Sequence, residues 1–235
     1  MKKICFVLAF GFLTATVFAQ KINDPNAESR TVSGFNAVDV SNAFDIVLTQ
    51  GNSEAVAVSA SEKKYIDQIK VEVKNGVLTI RYEGKGKILG GNHKDLKAYI
   101  SVKNINAISI SGASDLYISG TLRSDELTLT QSGASDAKGK IEASKLTVKI
   151  SGASDAVLSG SVGHLWIDAS GASDFKGFNL TSDICDAKAS GASDVKITVQ
   201  KELSAKASGA SDVHYKGNGV VTDMKSSGSS SVTKS

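Results

Sequence analysis

Cysteine, proline and large rings are nearly missing from this sequence: its 235 residues hold two Cys, one Pro and one Trp, and aromatics reach only 6%. Cys5 lies in an apolar leader, so Cys185 stands alone in the rest of the chain and has no intramolecular disulfide partner there. Its plain reading is a small buried hydrophobe. A core can still form, since 41% of residues are hydrophobic, but small and β-branched side chains must supply it. After the leader no stretch approaches the ~18 apolar residues of a membrane-spanning helix. A surplus of one charge is missing too. Without Lys2 and Lys3, 25 basic and 24 acidic side chains remain, a net of +1. That balance argues against nucleic acid as a partner, because phosphate binding needs a concentrated basic surface. The length suits one large domain or two small ones.

The leader is present in full. Lys2 and Lys3 form a basic start, Ile4 to Phe12 is apolar, and Val17-Phe18-Ala19 sets small residues before a cleavage point at Gln20. Residues 1–19 therefore read as a secretory signal peptide, which sends the protein to the periplasm, the outer surface or the medium. Gln20, not Cys, stands directly after the cleavage point, so the lipoprotein route is not expected. Residues 20–30 are polar and read as a flexible lead-in.

The rest is dominated by one motif. Ser-Gly-Ala-Ser-Asp occurs six times, starting at Ser111, Ser132, Ser151, Ser170, Ser190 and Ser208. A degenerate copy begins one further period on, at Ser227. A near-constant period of roughly twenty marks a stacked repeat. Around each copy the pattern alternates apolar and polar, as in Leu146-Thr147-Val148-Lys149-Ile150 and Val195-Lys196-Ile197-Thr198-Val199, which means strands with one buried face. The leucine-rich frame with its Asn is absent, and one period is too short for a propeller blade. The expectation is an all-β fold, a parallel β-helix solenoid of about 19–20 residues per coil, with seven coils spanning roughly 30 Å. Gly in each motif fits a corner that needs positive φ or close backbone approach. Residues 111–233 supply these repeat coils, and residues 31–110, alternating but irregular, supply N-terminal coils that cap the stack, a separate small β domain being the alternative. Within them, Val71 to Ile80 reads as a hairpin through Asn75-Gly76.

Stacking would align Asp115, Asp136, Asp155, Asp174, Asp194 and Asp212 in a ladder on one edge, with the motif serines beside them. Neighbouring carboxylates repel by roughly 1 kcal/mol even in water, so they must be solvated, hydrogen-bonded by Ser hydroxyls and turn N–H groups, or bridged by cations. The structural role is favoured, since Asp and Ser satisfy turn backbone this way. The Gly-Gly-x-Gly-x-Asp repeats of calcium ladders are absent.

Gly34-Phe35-Asn36-Ala37-Val38-Asp39-Val40, Ala43-Phe44-Asp45-Ile46-Val47-Leu48-Thr49-Gln50-Gly51, the repeats themselves and Tyr215-Lys216-Gly217-Asn218 together resemble the bacterial family of the auto-transporter adhesin head GIN domain. The resemblance covers residues 31–233. It implies a right-handed parallel β-helix in an exported protein of Bacteroidetes-like bacteria, and it brings no catalytic residues to carry over. Gly219 departs from the family, which often has Pro there.

β-Helices also host polysaccharide enzymes, which gather several Asp with Arg or Lys in a cleft. Here Arg occurs only at Arg30, Arg81 and Arg123, outside the motifs, and His93, His164 and His214 are far apart without metal-ligand spacing. No catalytic residue, cofactor or metal is expected. Trp166, between Leu165 and Ile167, should point outward, as should Tyr117 and His214. Trp166 and Tyr117 are thus the candidate ligand contacts, able to stack on a sugar or anchor a partner; the alternative is a lone surface aromatic under a loop. The sequence points to a binding module with glycans or envelope or host surface proteins as partners. A polysaccharide-processing enzyme and a purely structural envelope protein are the alternatives.

Overall fold

Strand follows alternation throughout the repeats. The computed structural model describes residues 23–84 and 94–235; the expected signal peptide at 1–19 and His93 lie outside the described residues. Strands β9 (Asp115–Gln131), β10 (Ala137–Ile150), β11 (Asp155–Ala169), β12 (Asp174–Gly191) and β13 (Asp194–Gly209) stack in parallel and in chain order. β14 (Asp212–Lys216), β15 (Val220–Gly228) and β16 (Ser231–Lys234) continue the stack. The chain is an all-β parallel solenoid of about seven turns, as the repeat predicts. Each long strand has a leading limb after the corner Asp and a trailing limb before the next corner. Bends such as Gly120 and Gly160, both at positive φ, separate the limbs.

Register places like on like. Leu127, Leu146, Leu165, Cys185 and Leu203 form one core column, every member buried. Burying each such leucine contributes roughly 1.5–3 kcal/mol. Cys185 is inert there, as burial pushes its thiol far above its ordinary range. At the later corners a small core residue faces a larger one: Ile150 with Ala156, Ala169 with Phe175, Ala189 with Val195, Ala207 with Val213, whereas the first corner sets Ile110 with Leu116.

The corner itself is a backbone contact. Gly171 has φ +82, and a Cβ there would lie 2.6 Å from the Gly152 carbonyl oxygen one coil below. The approach lets Ala172 N–H donate to that oxygen at 2.8 Å. The second Ser of each motif, expected beside Asp on an outer edge, points inward instead: Ser114, Ser135, Ser154, Ser173, Ser193 and Ser211 are fully buried. Their hydroxyls are satisfied inside the corner. Ser173 Oγ donates to Ser170 O at 2.9 Å, and Ser154 Oγ accepts from Ser135 N–H at 3.2 Å. A buried hydroxyl is tolerated only when so paired.

The N-terminal coils do not stack in chain order. β2 (Ala37–Val40) pairs with both β6 (Val77–Tyr82) and β8 (Ala107–Ile110), and β3 (Phe44–Gln50) pairs with both β7 (Leu96–Val102) and β9. The earliest coil thus sits between two later ones. Its corner, Ser41-Asn42-Ala43-Phe44-Asp45, occupies the place of a repeat motif. Asn42 adopts φ 94 where the repeats have Gly, and its carbonyl accepts from Ala113 N–H at 2.6 Å.

Beyond β7 and β6 the pairing turns antiparallel and closes the end. β5 (Ile69–Lys74) joins β6 through the Asn75-Gly76 turn, both residues at positive φ. β4 (Ala55–Ser59) runs against β7, and α1 (Lys63–Ile66) buries Tyr65 and Ile66. The lead-in expected to be flexible is partly structured: β1 (Glu28–Arg30) pairs with β4, and Lys63 Nζ lies 2.8 Å from Glu28. Tyr99 Oη donates to Asp24 Oδ2 at 2.8 Å. Burial and the Asp24 carboxylate push the Tyr99 phenol up to about 12. A raised folded pKa stabilises below the ordinary value and is lost as pH climbs through the folded one. Residues 23–30 should therefore become protease-sensitive as pH rises from about 10 to about 12. Tyr99→Phe should show that sensitivity already at neutral pH; equal digestion of both proteins at pH 7 would remove the clamp.

Candidate functional site

The outer surface, not a buried cleft, carries the candidate residues. Trp166 sits on the trailing limb of β11 between the fully buried Leu165 and Ile167, which turns its ring outward at 56% exposure. In register, Thr147 lies one coil below it and Asp186 one coil above. Two residues before it, His164 Nε2 lies 2.6 Å from Asp186 Oδ2. Two residues after it, Asp168 faces Lys188 at 3.9 Å. A shallow depression of about 140 Å³, bordered by Thr130, Lys149 and Asp168, opens on the same limb. The result is an apolar ring framed by carboxylates, a lysine and hydroxyls.

Tyr117 occupies another face. It lies on the leading limb of β9, 53% exposed, in a row with Val47, Lys138 and Val157. Trp166 and Tyr117 are therefore not brought together. Beside Tyr117 runs the aspartate ladder. Asp155, Asp174, Asp194 and Asp212 are direct register partners, and Asp136 N–H and Asp155 N–H reach Asp115 Oδ1 and Asp136 Oδ1, at 3.4 and 3.2 Å. The ladder begins one coil earlier, at Asp45, which pairs with Asp115. Lys176 lies 2.6 Å from Asp155 and 3.4 Å from Asp174, and the Asp155 hydrogen bond raises its pKa. At the other end Ser231 donates to Asp212 through both hydroxyl and N–H, holding that carboxyl low. His214 Nδ1 lies 2.8 Å from Thr233 Oγ1.

A further concavity has no counterpart among the sequence motifs. An open polar trough of about 860 Å³ crosses the bends of β9, β10 and β11, with Arg123 and Glu142 paired at 3.0 Å on its wall. Its floor includes Ala143, Ser144, Ser161 and Gly163. Gly163 is required because a Cβ would approach Ser144 O to 2.7 Å. Gln50 fixes one end, its Oε1 accepting from Arg123 N–H at 2.7 Å and its Nε2 donating to Arg123 O at 2.9 Å. Small residues recurring at one coil position were the available signal.

An enzyme of the β-helix type would need aspartates from two rows beside Lys or Arg in one cleft. Here the ladder lies on the leading limbs and Asp168 and Asp186 on the trailing ones, while the open trough at the bends is lined by Asp125, Glu142 and Asp183 beside Arg123. Among the described residues no group of three His, Cys, Asp or Glu is placed to hold a metal ion, and no helix is long and apolar enough to cross a membrane.

Three comparisons bear on this geometry. No curated protein sequence matches the chain. A "putative adhesin" from Bacteroides fragilis superposes with a TM-score of 0.80 at 21% identity, over 89% of this chain and 96% of the other. One from Parabacteroides merdae gives 0.71 at 16%, over 89% and 95%. A "putative lipid binding protein" from Parabacteroides distasonis gives 0.64 at 18%, over 90% and 98%. At such identities they establish the shared solenoid. The sequence itself matches a family model over residues 34–219, which takes in the intercalated first coil and all six intact corners, and the chain belongs to that family, "putative auto-transporter adhesin, head GIN domain".

Proposed function

We propose that the protein is an exported, non-enzymatic binding module of the bacterial envelope that holds glycans on the face carrying Trp166. The observation that carries this reading is an outward indole framed by Thr147, His164, Asp168 and Asp186. A sugar presents an apolar C–H face that stacks on an aromatic ring, while its hydroxyls donate to carboxylates and accept from Lys or Thr. The stiff repeat scaffold preorganises these groups, which limits the entropy lost on binding. The leader at residues 1–19 supports export, and the family's adhesin description agrees with binding.

Glycan-array binding tests this. Wild type should bind a defined subset of glycans without releasing products. Trp166→Ala should weaken that binding at least about tenfold, the loss of one stacked aromatic, with an unchanged melting temperature because the ring is half outside. Glycan binding that survives Trp166→Ala would move the site elsewhere. Binding neither to glycans nor to envelope proteins would leave a purely structural role.

A further inference from the structure

The leading-limb face carries a second, differently built surface. A groove of about 420 Å³ runs along the solenoid axis across the first coils. One wall is the row of Asp45, Asp115, Asp136 and Asp155; the other carries Tyr117 at 53% and Val157 at 40% exposure, with the Lys138 stem between them in the same row. Lys138 is the single cation among the described residues that line it. Toward the later coils Lys176 neutralises Asp155 and closes the acidic stretch. Within that stretch, burial and the charges of Asp136 and Asp45 raise the Asp115 carboxyl, although Asp136 N–H opposes them. Lys97 stands in register beside Asp45 and Lys138 two residues from Asp136, yet among the described residues no ion pair forms to Asp45, Asp115 or Asp136, unlike the Lys176–Asp155 pair.

A matching ligand needs cations along one side and apolar groups along the other. An extended peptide has that form, because successive side chains point to opposite sides. Carboxylates one inter-strand spacing apart put Asp45 and Asp136 about 10 Å from end to end. Two basic side chains two residues apart, separated by about 7 Å, reach across all three carboxylates of that span. A carbohydrate lacks the cations, and a simple polyamine lacks the separate apolar edge. We propose that this groove docks an extended segment of a partner protein in which Lys or Arg alternates with apolar residues, the basic side chains on Asp45, Asp115 and Asp136 and the apolar ones on Tyr117 and Val157. The Trp166 face plays no part in it, so either surface can fail without the other.

The test uses the full mature chain and a labelled peptide, Gly-Lys-Val-Lys-Val-Lys-Gly, followed by fluorescence polarisation. Binding should weaken as salt rises, since paired exposed charges are screened. The double variant Asp115→Asn with Asp136→Asn should lose at least about tenfold in affinity, and Tyr117→Ala several-fold. Trp166→Ala should bind the peptide like wild type. Because Asn keeps the shape of Asp, an unchanged thermal unfolding curve will show that the double variant is folded. No binding of the peptide, equal binding of its Gln-for-Lys analogue, equal binding by the Asn variant, or displacement by spermidine at matched charge concentration would each overturn the proposal.

Discussion

Gly171→Val is expected to destabilise the rod by about 4 kcal/mol or more, lowering the melting temperature by roughly 10 °C or more. Two separable effects add at this corner. The backbone sits at φ +82, which costs a side-chain-bearing residue about 1–2 kcal/mol. The added Cβ also meets Gly152 O at 2.6 Å and Gly152 N at 3.0 Å, and both are main-chain atoms of the coil below. Relief requires parting the coils, which breaks the Ala172 N–H to Gly152 O bond and disturbs the buried Ser173 hydroxyl. Because each coil rests on its neighbours, the damage is shared along the stack. Gly120→Ala isolates the first effect. Its φ is also +82, but nothing lies within 4 Å of the added Cβ, so only about 1–2 kcal/mol should be lost. Urea unfolding of both variants decides the matter. Equal losses would mean that coil-to-coil contact at the corner contributes nothing.

Phe175→Ala should cost about 4 kcal/mol, within the range for buried aromatic truncation. Phe175 is fully buried, across its corner from Ala169 and between Ala156 and Val195 in its column. Its ring also fills the space at Gly177, where a Cβ would come 2.3 Å from Phe175 Cε1. Ala156, Ala169 and Gly177 are too small to fill the space it leaves, and β-strands locked by hydrogen bonds above and below cannot close the hole. Phe175→Leu should lose less than about half as much, since most of the volume stays. Midpoints of denaturant unfolding at constant slope would report the difference. A loss under about 1 kcal/mol for the alanine variant would show that the coil collapses around the gap.

The reach of the sequence varied along the chain for physical reasons. From Ser111 onward one period carried both strand pattern and corner chemistry, so coil length, the outward setting of Trp166 and Tyr117 and the aspartate ladder were all legible. Period alone could not say which motif Ser turns inward, because a hydroxyl is as satisfied by a buried carbonyl as by water. Asp45 went unnoticed as the ladder's first member because its corner reads Ser-Asn-Ala-Phe-Asp and lies far upstream of its partner Asp115. Asn tolerates the left-handed conformation that Gly otherwise supplies, so the letter changed while the backbone did not. The trough beside Arg123 was hidden because concavity arises from bends and small residues on several coils at once. Residues 24–30 looked merely polar, yet their partners, Tyr99, Lys63 and β4, are distant in sequence.

The intercalated first coil has a consequence for how the molecule assembles. From β9 onward each new coil lands on a finished edge about twenty residues after the previous one, a short loop closure repeated several times. β2 and β3 face a different problem. They leave the ribosome before either neighbour exists, and one of those neighbours, β9, begins only at Asp115. Nothing templates them until the hairpin of β5 and β6, then β7, and finally β8 and β9 close on both sides. Closing that N-terminal set of long-range pairings is expected to limit the folding rate, with the short-range repeat coils adding to it at little further cost. Mutations in β2 or β3 should accordingly slow folding, while those in β13 should mainly speed unfolding.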